Sequence, residues 1–300
     1  MSNLETCCGF VAILGAPNAG KSTLVNQLVG TKVSIVSPKV QTTRNRVMGV
    51  LLKDEAQMIL VDTPGIFVKP KRRLERSMVH DAWRSLEDAD ALVVLIDASK
   101  PSYDDVDHIF EQLKDSKRPL FLALNKVDIA ENEQLLKLAA RYTTPHVKQT
   151  FMISALKGSG VKDLEKTLAE LMPLGPWLFP EDQLSNISER LLATEITREK
   201  IFHKLHDELP YAIFVDTEQW EEFRDGSVKI NQLIYVDRES QKSIVLGKDG
   251  RKIKAIGAEA RKELIEILER PVHLFLHVRV KENWMEDPRF YRNFGLEFKV

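Results

Sequence analysis

The sequence predicts an α/β protein: a three-layer sandwich on a mostly parallel sheet, followed by a smaller α+β domain. Three observations carry this. Short continuous apolar runs alternate with longer amphipathic stretches through the first half, the pattern of parallel strands joined by crossover helices. The alternation stops at MPLGPWLFPEDQ, where three prolines and a glycine crowd together as they do in linkers. Beyond it the order changes in kind, to helix, strand, strand, helix, strand. A chain of 300 residues suits two domains. The boundaries fall at 1–175 for the first, 176–184 for the linker and 185–300 for the second domain with its C-terminal tail.

Taken in order, the first strand is FVAIL (10–14), followed by MILV (58–61), ALVVLID (91–97), LFLALN (120–125) and TFMIS (150–154). Such fully apolar strands fit a sheet covered on both faces. Between and after them, apolar residues at helical spacing predict helices over 22–28, 74–87, 106–114, 134–142 and 161–171. After the linker a long helix is expected over 185–209. Strands over 211–222 and 228–237 follow, parted by the turn signal RDGS. A helix reaching residue 269 and the strand VHLFLHVRV close the pattern.

Composition excludes several classes. Hydrophobic content of 43% and charged content of 29% are those of a folded globular chain. The net charge of −1 supplies no global field toward nucleic acid, so any such affinity must come from a local patch. Cys7 and Cys8 are adjacent and have no metal-type spacing, which fits a reducing compartment. No run approaches the twenty or so apolar residues of a membrane span, and MSNLETCC lacks a basic signal region, so the expected location is cytoplasmic.

In sheets of this kind ligands gather at the carboxyl ends of the strands, and the motifs stand there. GAPNAGKS comprises Gly15, Ala16, Pro17, Asn18, Ala19, Gly20, Lys21 and Ser22, with Thr23 next; it fits G-x-x-x-x-G-K-[ST] between a strand and a helix. Its backbone N–H groups and the helix start favour phosphate, Lys21 reaches the β- and γ-phosphates, and Ser22 ligates Mg²⁺. NKVD follows the strand LFLALN. Asp128 can accept from the N1–H and 2-amino group of guanine, a donor pair that adenine lacks. Asn125 meets the purine edge and braces the loop, and the Lys126 stem covers the base. Ser154, Ala155 and Leu156 follow the fifth strand, where a backbone N–H meets the guanine oxygen. DTPG contributes Asp62 as a water-mediated Mg²⁺ ligand, then Thr63, Pro64 and Gly65, whose N–H senses the γ-phosphate. QTTR (Gln41, Thr42, Thr43, Arg44) lies in the loop before it. Either Thr42 or Thr43 can complete the metal shell, with Thr43 preferred. Ile66 stands where enzymes of the Ras type carry a water-orienting glutamine, so slow intrinsic hydrolysis is expected. An ATPase is disfavoured by NKVD, and a trafficking or transport GTPase would need a lipid signal or span. A nucleotide-binding scaffold with negligible turnover is the alternative that Ile66 raises.

GAPNAGKS, QTTR, DTPGIF and NKVD, in this order and spacing, with VLGKDGRKIKAIG in the second half, resemble the bacterial Era GTPases. The likeness covers essentially the whole chain. It implies a P-loop GTPase fold followed by a type II KH domain, with GTP/GDP and Mg²⁺ as cofactors. It implies that Lys21, Asn18, Thr43 and Gly65 meet the transferring phosphoryl group. In GTPases of this P-N-x-G-K-S form the asparagine can hold K⁺ against the phosphates; here Asn18 either does so or only shapes the loop. KH domains clamp single-stranded RNA with a G-x-x-G loop at a helix start. Gly247, Lys248, Asp249 and Gly250 fit that loop, and Arg251, Lys252 and Lys254 add local positive charge to a chain that is neutral overall. Ile244, Leu246, Ile253 and Ile256 either wall a groove for bases or join the core. By resemblance the RNA is the 3′ end of 16S ribosomal RNA, the partner is the small ribosomal subunit, and no DNA is expected. The family is also described as peripheral at the inner face of the cell membrane; with no hydrophobic anchor that contact would be electrostatic and weak. Trp220 and Trp284 read as packing residues, and the seven histidines form no ligand cluster, although His273 and His277 share a strand face.

Overall fold

Two sheets organise the chain. The computed structural model describes residues 6–37, 39, 42, 47–68, 70, 72–100, 102–205, 209–293 and 295–299, and the strands among them form a six-stranded and a three-stranded sheet. By contacts, one unit is Met1–Asn186 with Phe294–Val300, and the other is Ile187–Asn293.

In the first unit the sheet order is β2-β3-β1-β4-β5-β6. Strand β1 (Cys7–Gly15) pairs in parallel with both β3 (Ala56–Asp62) and β4 (Ala91–Asp97). β4 continues in parallel to β5 (Leu120–Asn125), and β5 to β6 (Val147–Ile153). Alternation along β1 divides the core. Val11 and Ile13 face α1 (Lys21–Val29) and α5 (Val161–Ala169), packing with Leu24, Val25 and Leu164. Ala12 and Leu14 join the opposite cluster with residues of α2 (Arg73–Arg84), α3 (Asp104–Leu113) and α4 (Asn132–Tyr142). Both faces are therefore dry, as the apolar runs require. The strand order reverses beside β1, which opens a crevice at its carboxyl end.

The expected set of five strands omits one. β2 (Val47–Lys53) runs antiparallel to β3 and lies at the sheet edge. Its sequence VMGVLLK contains a glycine and has half-exposed positions, so it lacks the buried apolar signature of its neighbours. The two-residue turn to β3 holds Asp54 in the left-handed region, at φ 52°.

The proline-rich segment is pinned to this unit. Gln57 is fully buried. Its Oε1 accepts from Leu178 N (2.8 Å) and Phe179 N (3.0 Å), while its Nε2 donates to Phe179 O (2.8 Å). Further on, Val50 N donates to Leu184 O (2.8 Å), Gly49 bridges Ser185, and Met48 N donates to Asn186 Oδ1 (2.9 Å). At the chain's other end Leu296 is buried, Glu297 pairs with Arg84, and the Arg73 guanidinium lies 4.5 Å over the Phe298 ring.

In the second unit α6 (Glu189–Lys204) starts at Ser188, whose hydroxyl accepts from Leu191 N. The helix is shorter at both ends than the predicted 185–209; Leu209–Ala212 forms a 3₁₀ turn. Strands β7 (Phe214–Glu222) and β8 (Val228–Val236) form an antiparallel pair, and β9 (Val272–Val280) adds in parallel to β8. A parallel addition needs a crossover. It is made by two helices rather than the one expected: α7 (Glu239–Leu246) and α8 (Arg251–Leu268). The order is thus α-β-β-α-α-β. ESQKSIVL spans only eight residues and buries Val245 alone, too weak a periodic signal to stand out. Trp284 is buried and packs near Phe214 and Phe290.

Candidate functional site

The glycine-rich loop fills the crevice at the end of β1. A Cβ on Gly15 would stand 2.5 Å from Leu95 O, so the strand can approach β4 only without a side chain. Gly20 is left-handed at φ 100° and precedes α1 without capping it by a side chain, which leaves the first N–H groups to receive an anion. Lys21 is buried, and its Nζ donates to Gly15 O and Ala16 O, each at 3.0 Å. Burial pushes its ammonium down to about 8 from 10.5; Asp62 opposes that shift and Lys100 adds to it.

Three oxygen groups meet beside it. Ser22 Oγ and Ser34 Oγ each donate to Asp62 Oδ2 at 2.7 Å. Hydroxyl and carboxylate oxygens suit a hard cation that keeps waters and phosphate oxygens as its other ligands. No cluster of three or more His, Cys, Asp or Glu side chains suited to a metal occurs among the described residues, so a cation here would need the nucleotide's oxygens. Thr63 Oγ1 donates to Ile13 O at 2.7 Å, which turns it toward the sheet. Gly65 approaches the loop closely: a Cβ there would lie 2.9 Å from Pro17 Cα. Ile66 is fully buried in the core with Ala12 and Leu14, which explains an apolar residue at that position. Thr42 Oγ1 donates to Lys39 O at 2.6 Å. Gln41, Thr43 and Arg44 lie outside the described residues, so the preference for Thr43 over Thr42 falls there too.

NKVD, the motif expected to read the base, is built around buried Asn125. Its Nδ2 donates to Ala19 O (2.7 Å), and its Oδ1 accepts from Ala155 N (2.9 Å). One side chain thereby braces the phosphate loop against the loop after β6. Lys126 is left-handed at φ 67°, and its Nζ pairs with Asp97 Oδ2 at 2.6 Å. The Ser154 hydroxyl, hydrogen-bonded to Asp128, holds the Asp128 carboxyl below its usual range; Lys157, 3.9 Å away, and Lys126 add to this. Asp128 is thus kept as an acceptor. Leu156 is exposed. A cavity of about 220 Å³ is lined by Pro17, Asn18, Lys21, Ser22, Thr23, Thr42, Gly65 and Lys126, among others.

Sequence reasoning missed Ser34, Asp97 and Lys100. Asp97 could have been found, since it ends the run ALVVLID at a strand's carboxyl end. Ser34 and Lys100 sit in loops with no motif around them, and only folding brings them to Asp62 and Pro17.

In the second unit α7 ends at Gly247 (φ 71°, ψ 175°), and Lys248–Gly250 makes a 3₁₀ turn. A Cβ on Gly247 would stand 2.6 Å from Lys252 Cβ. Gly250, left-handed at φ 71°, precedes α8 and offers no side-chain cap. Lys248, Asp249, Arg251 and Lys254 are exposed, and Lys252 is half-buried. Asp249 lies 3.8 Å from Arg251 at the surface. Ile256 is core, Ile253 packs against it, and Ile244 is exposed.

The family model described as 50S ribosome-binding GTPase matches residues 10–126, and the KH domain model matches 208–285. GTPase Era of Brucella suis biovar 1 (strain 1330) is 59% identical over 98% of this chain and 94% of its own length. GTPase Era of Sinorhizobium medicae (strain WSM419) is 58% identical over 98% and 95%. Two solved structures each match with TM-score 0.89 and 40% identity over 98% of this chain and 100% of the other. One is Era in complex with MgGDPNP and nucleotides 1506–1542 of 16S ribosomal RNA; the other is an Aquifex aeolicus Era variant bound to GDP·AlF4⁻.

Proposed function

The chain belongs to the Era family of GTPases, and on that premise we propose a GTP-hydrolysing switch that binds single-stranded 16S ribosomal RNA at its 3′ end. It acts in 16S processing and assembly of the 30S subunit. Residues 1–175 are the GTPase domain, 176–184 the linker and 185–300 the KH domain with its tail. The observation that carries this reading is the pairing of two uncapped, glycine-led helix starts in separate units. One stands beside a guanine-reading carboxylate, and the other is flanked by exposed cations.

Residues 15–23 and 62–65, with Gln41, Thr42, Thr43 and Arg44, cradle the phosphates. Asn125, Lys126, Asp128, Ser154, Ala155 and Leu156 take the base. Ser22, Thr43 and Asp62 (through water) would hold Mg²⁺, which when bound neutralises charge on the β- and γ-phosphates. Asn18 would hold K⁺. Gly247, Lys248, Asp249, Gly250, Arg251, Lys252 and Lys254 meet the RNA backbone. The protein works in the cytoplasm, and any contact with the inner face of the cell membrane is peripheral and electrostatic. No helix among the described residues is long and apolar enough to cross a membrane.

Gly250→Asp tests the RNA assignment, because it sets bulk and negative charge where the strand must pass. Anisotropy with a short single-stranded ribosomal RNA fragment should show at least about a tenfold loss, while GTP affinity stays at the parent's value. Lys248→Ala should weaken binding less and reduce the salt slope by roughly one unit. RNA affinity at the parent's level in folded Gly250→Asp, judged by circular dichroism, would refute the reading.

A further inference from the structure

Lys100 lies outside every motif, yet it reaches the phosphate loop. Its Nζ donates to Pro17 O at 2.9 Å. The side chain is rooted at the end of β4. Tyr103, itself buried, donates its hydroxyl to Lys100 O at 2.6 Å, and Ser99 donates both N–H and hydroxyl to Asp97 Oδ1. The backbone from which the side chain reaches out is therefore braced at Asp97, Ser99 and Lys100.

The carbonyl it grips belongs to the peptide joining Pro17 to Asn18. In a trans peptide the carbonyl and the following N–H point in opposite directions, and no cis bond occurs among the described residues. Fixing Pro17 O therefore fixes the direction of the Asn18 N–H. Asn18 stands at φ 64°, a left-handed conformation that asparagine tolerates better than most residues but that its surroundings still have to select. Pro17 and Asn18 both line the cavity, and Pro17 is the residue against which Gly65 closes. Ile66, buried in the core, brings no polar group to the reacting end. Stabilisation of developing negative charge then falls to the loop's own dipoles and cations, which must be aimed in advance.

We propose that Lys100 is a positioning residue for GTP hydrolysis: by holding the Pro17 carbonyl it locks the Pro17–Asn18 peptide in its hydrolysis-competent orientation and sets a fixed positive charge behind it. The proposal rests on the GTPase reading and adds to it a residue that no motif contains. GDP, lacking the γ-phosphate, needs this orientation less than the transition state does.

The test uses the full chain with Lys100→Met, which keeps the stem but removes the charge and donor, and Lys100→Arg, which keeps both. Single-turnover GTP hydrolysis should fall about tenfold or more in Lys100→Met, less than the roughly hundredfold or more that goes with a donor in direct contact with the developing charge, because Lys100 acts through the Pro17–Asn18 peptide. GDP affinity should stay within about twofold, because the first-turn N–H groups and Lys21 remain. Trapping of GDP with aluminium fluoride should weaken in parallel with the rate, and Lys100→Arg should restore both. A rate equal to the parent's, or a loss of GDP affinity as large as the loss of rate, would overturn the proposal; the second result would mean that the loop merely collapsed. Parent turnover of GTP tests the GTPase reading by itself. A parent without turnover sinks both ideas, while an active parent with an unchanged ratio sinks only the role of Lys100.

Discussion

Lys21 makes nucleotide affinity depend on pH in a definite direction. Its ammonium is buried beneath the loop with a folded pKa near 8, against 10.5 for a free lysine. Phosphate favours the charged form, so the nucleotide-bound pKa lies above the free one. Below about pH 8 free and bound chains are both protonated, and affinity is flat. Above it, binding must take up a proton, and the dissociation constant for GDP rises roughly tenfold per pH unit, to about tenfold weaker at pH 9. The stability of the nucleotide-free chain moves the other way. Its depressed lysine costs roughly 3 kcal/mol below about pH 8, and this cost disappears as pH rises toward 10.5, because the unfolded chain then loses the proton as well. Calorimetric titration with GDP in two buffers of different ionisation enthalpy reads both affinity and proton uptake. The series ends near pH 9, before most of the guanine has lost its ring proton. Lys21→Met should bind weakly with no change across the series. Constant affinity from about pH 7 to 9, with no proton taken up, would refute the argument.

Two further outcomes follow from the same site. Asp128→Asn exchanges a double acceptor for an amide with one acceptor and one donor, so preference should move from guanine to xanthine nucleotides; competition binding with XTP checks it, and tight GTP binding with indifference to XTP would remove Asp128 from base reading. If Asn18 holds K⁺, turnover of the parent should be faster in K⁺ than in Na⁺ and that difference should vanish in Asn18→Ala; equal parent rates in both salts would take the cation out of the mechanism.

What could be read in the sequence follows from how local each cause is. Buried parallel strands declare themselves through continuous apolar runs, and β1, β3, β4 and β5 were legible that way; β6, an edge strand with Lys148, Gln149 and Met152 exposed, showed only through the short run TFMIS. β2, at the other edge, has no such run, and its place is set by pairing with β3 and by Leu184 and Ser185 on its open side. The phosphate loop and NKVD are contiguous, so their chemistry stands in the letters. Gln57 reads as a polar residue at the start of a strand. Its burial makes sense only once residues 178 and 179 come back to use both ends of its amide. α7 escaped notice for a similar reason: its eight residues gain helicity from packing, not from their own period.

The two glycine-led loops proposed to take phosphate differ in ways that would give one chain a use for both. Each ends in a left-handed glycine that opens a helix without a side-chain cap, so each offers bare N–H groups to an anion. Their surroundings differ in the property that selects the ligand. At the first, Lys21 is buried and curled over the backbone, Asp62 gathers two hydroxyls, and Asn125 ties the loop to the base site. A pocket of this kind would reward one compact, highly charged ligand with a defined base. At the second, the cations are exposed along a turn and the first turn of a helix, with no acid other than Asp249 in the loop. An open row of solvated charge gains most from a polymer, since each phosphate met releases counterions. Burial would separate the two proposed roles: it lowers the Lys21 pKa, so nucleotide binding there should respond to pH, whereas the exposed Lys248, Arg251 and Lys254 should make RNA binding at the second site respond to salt.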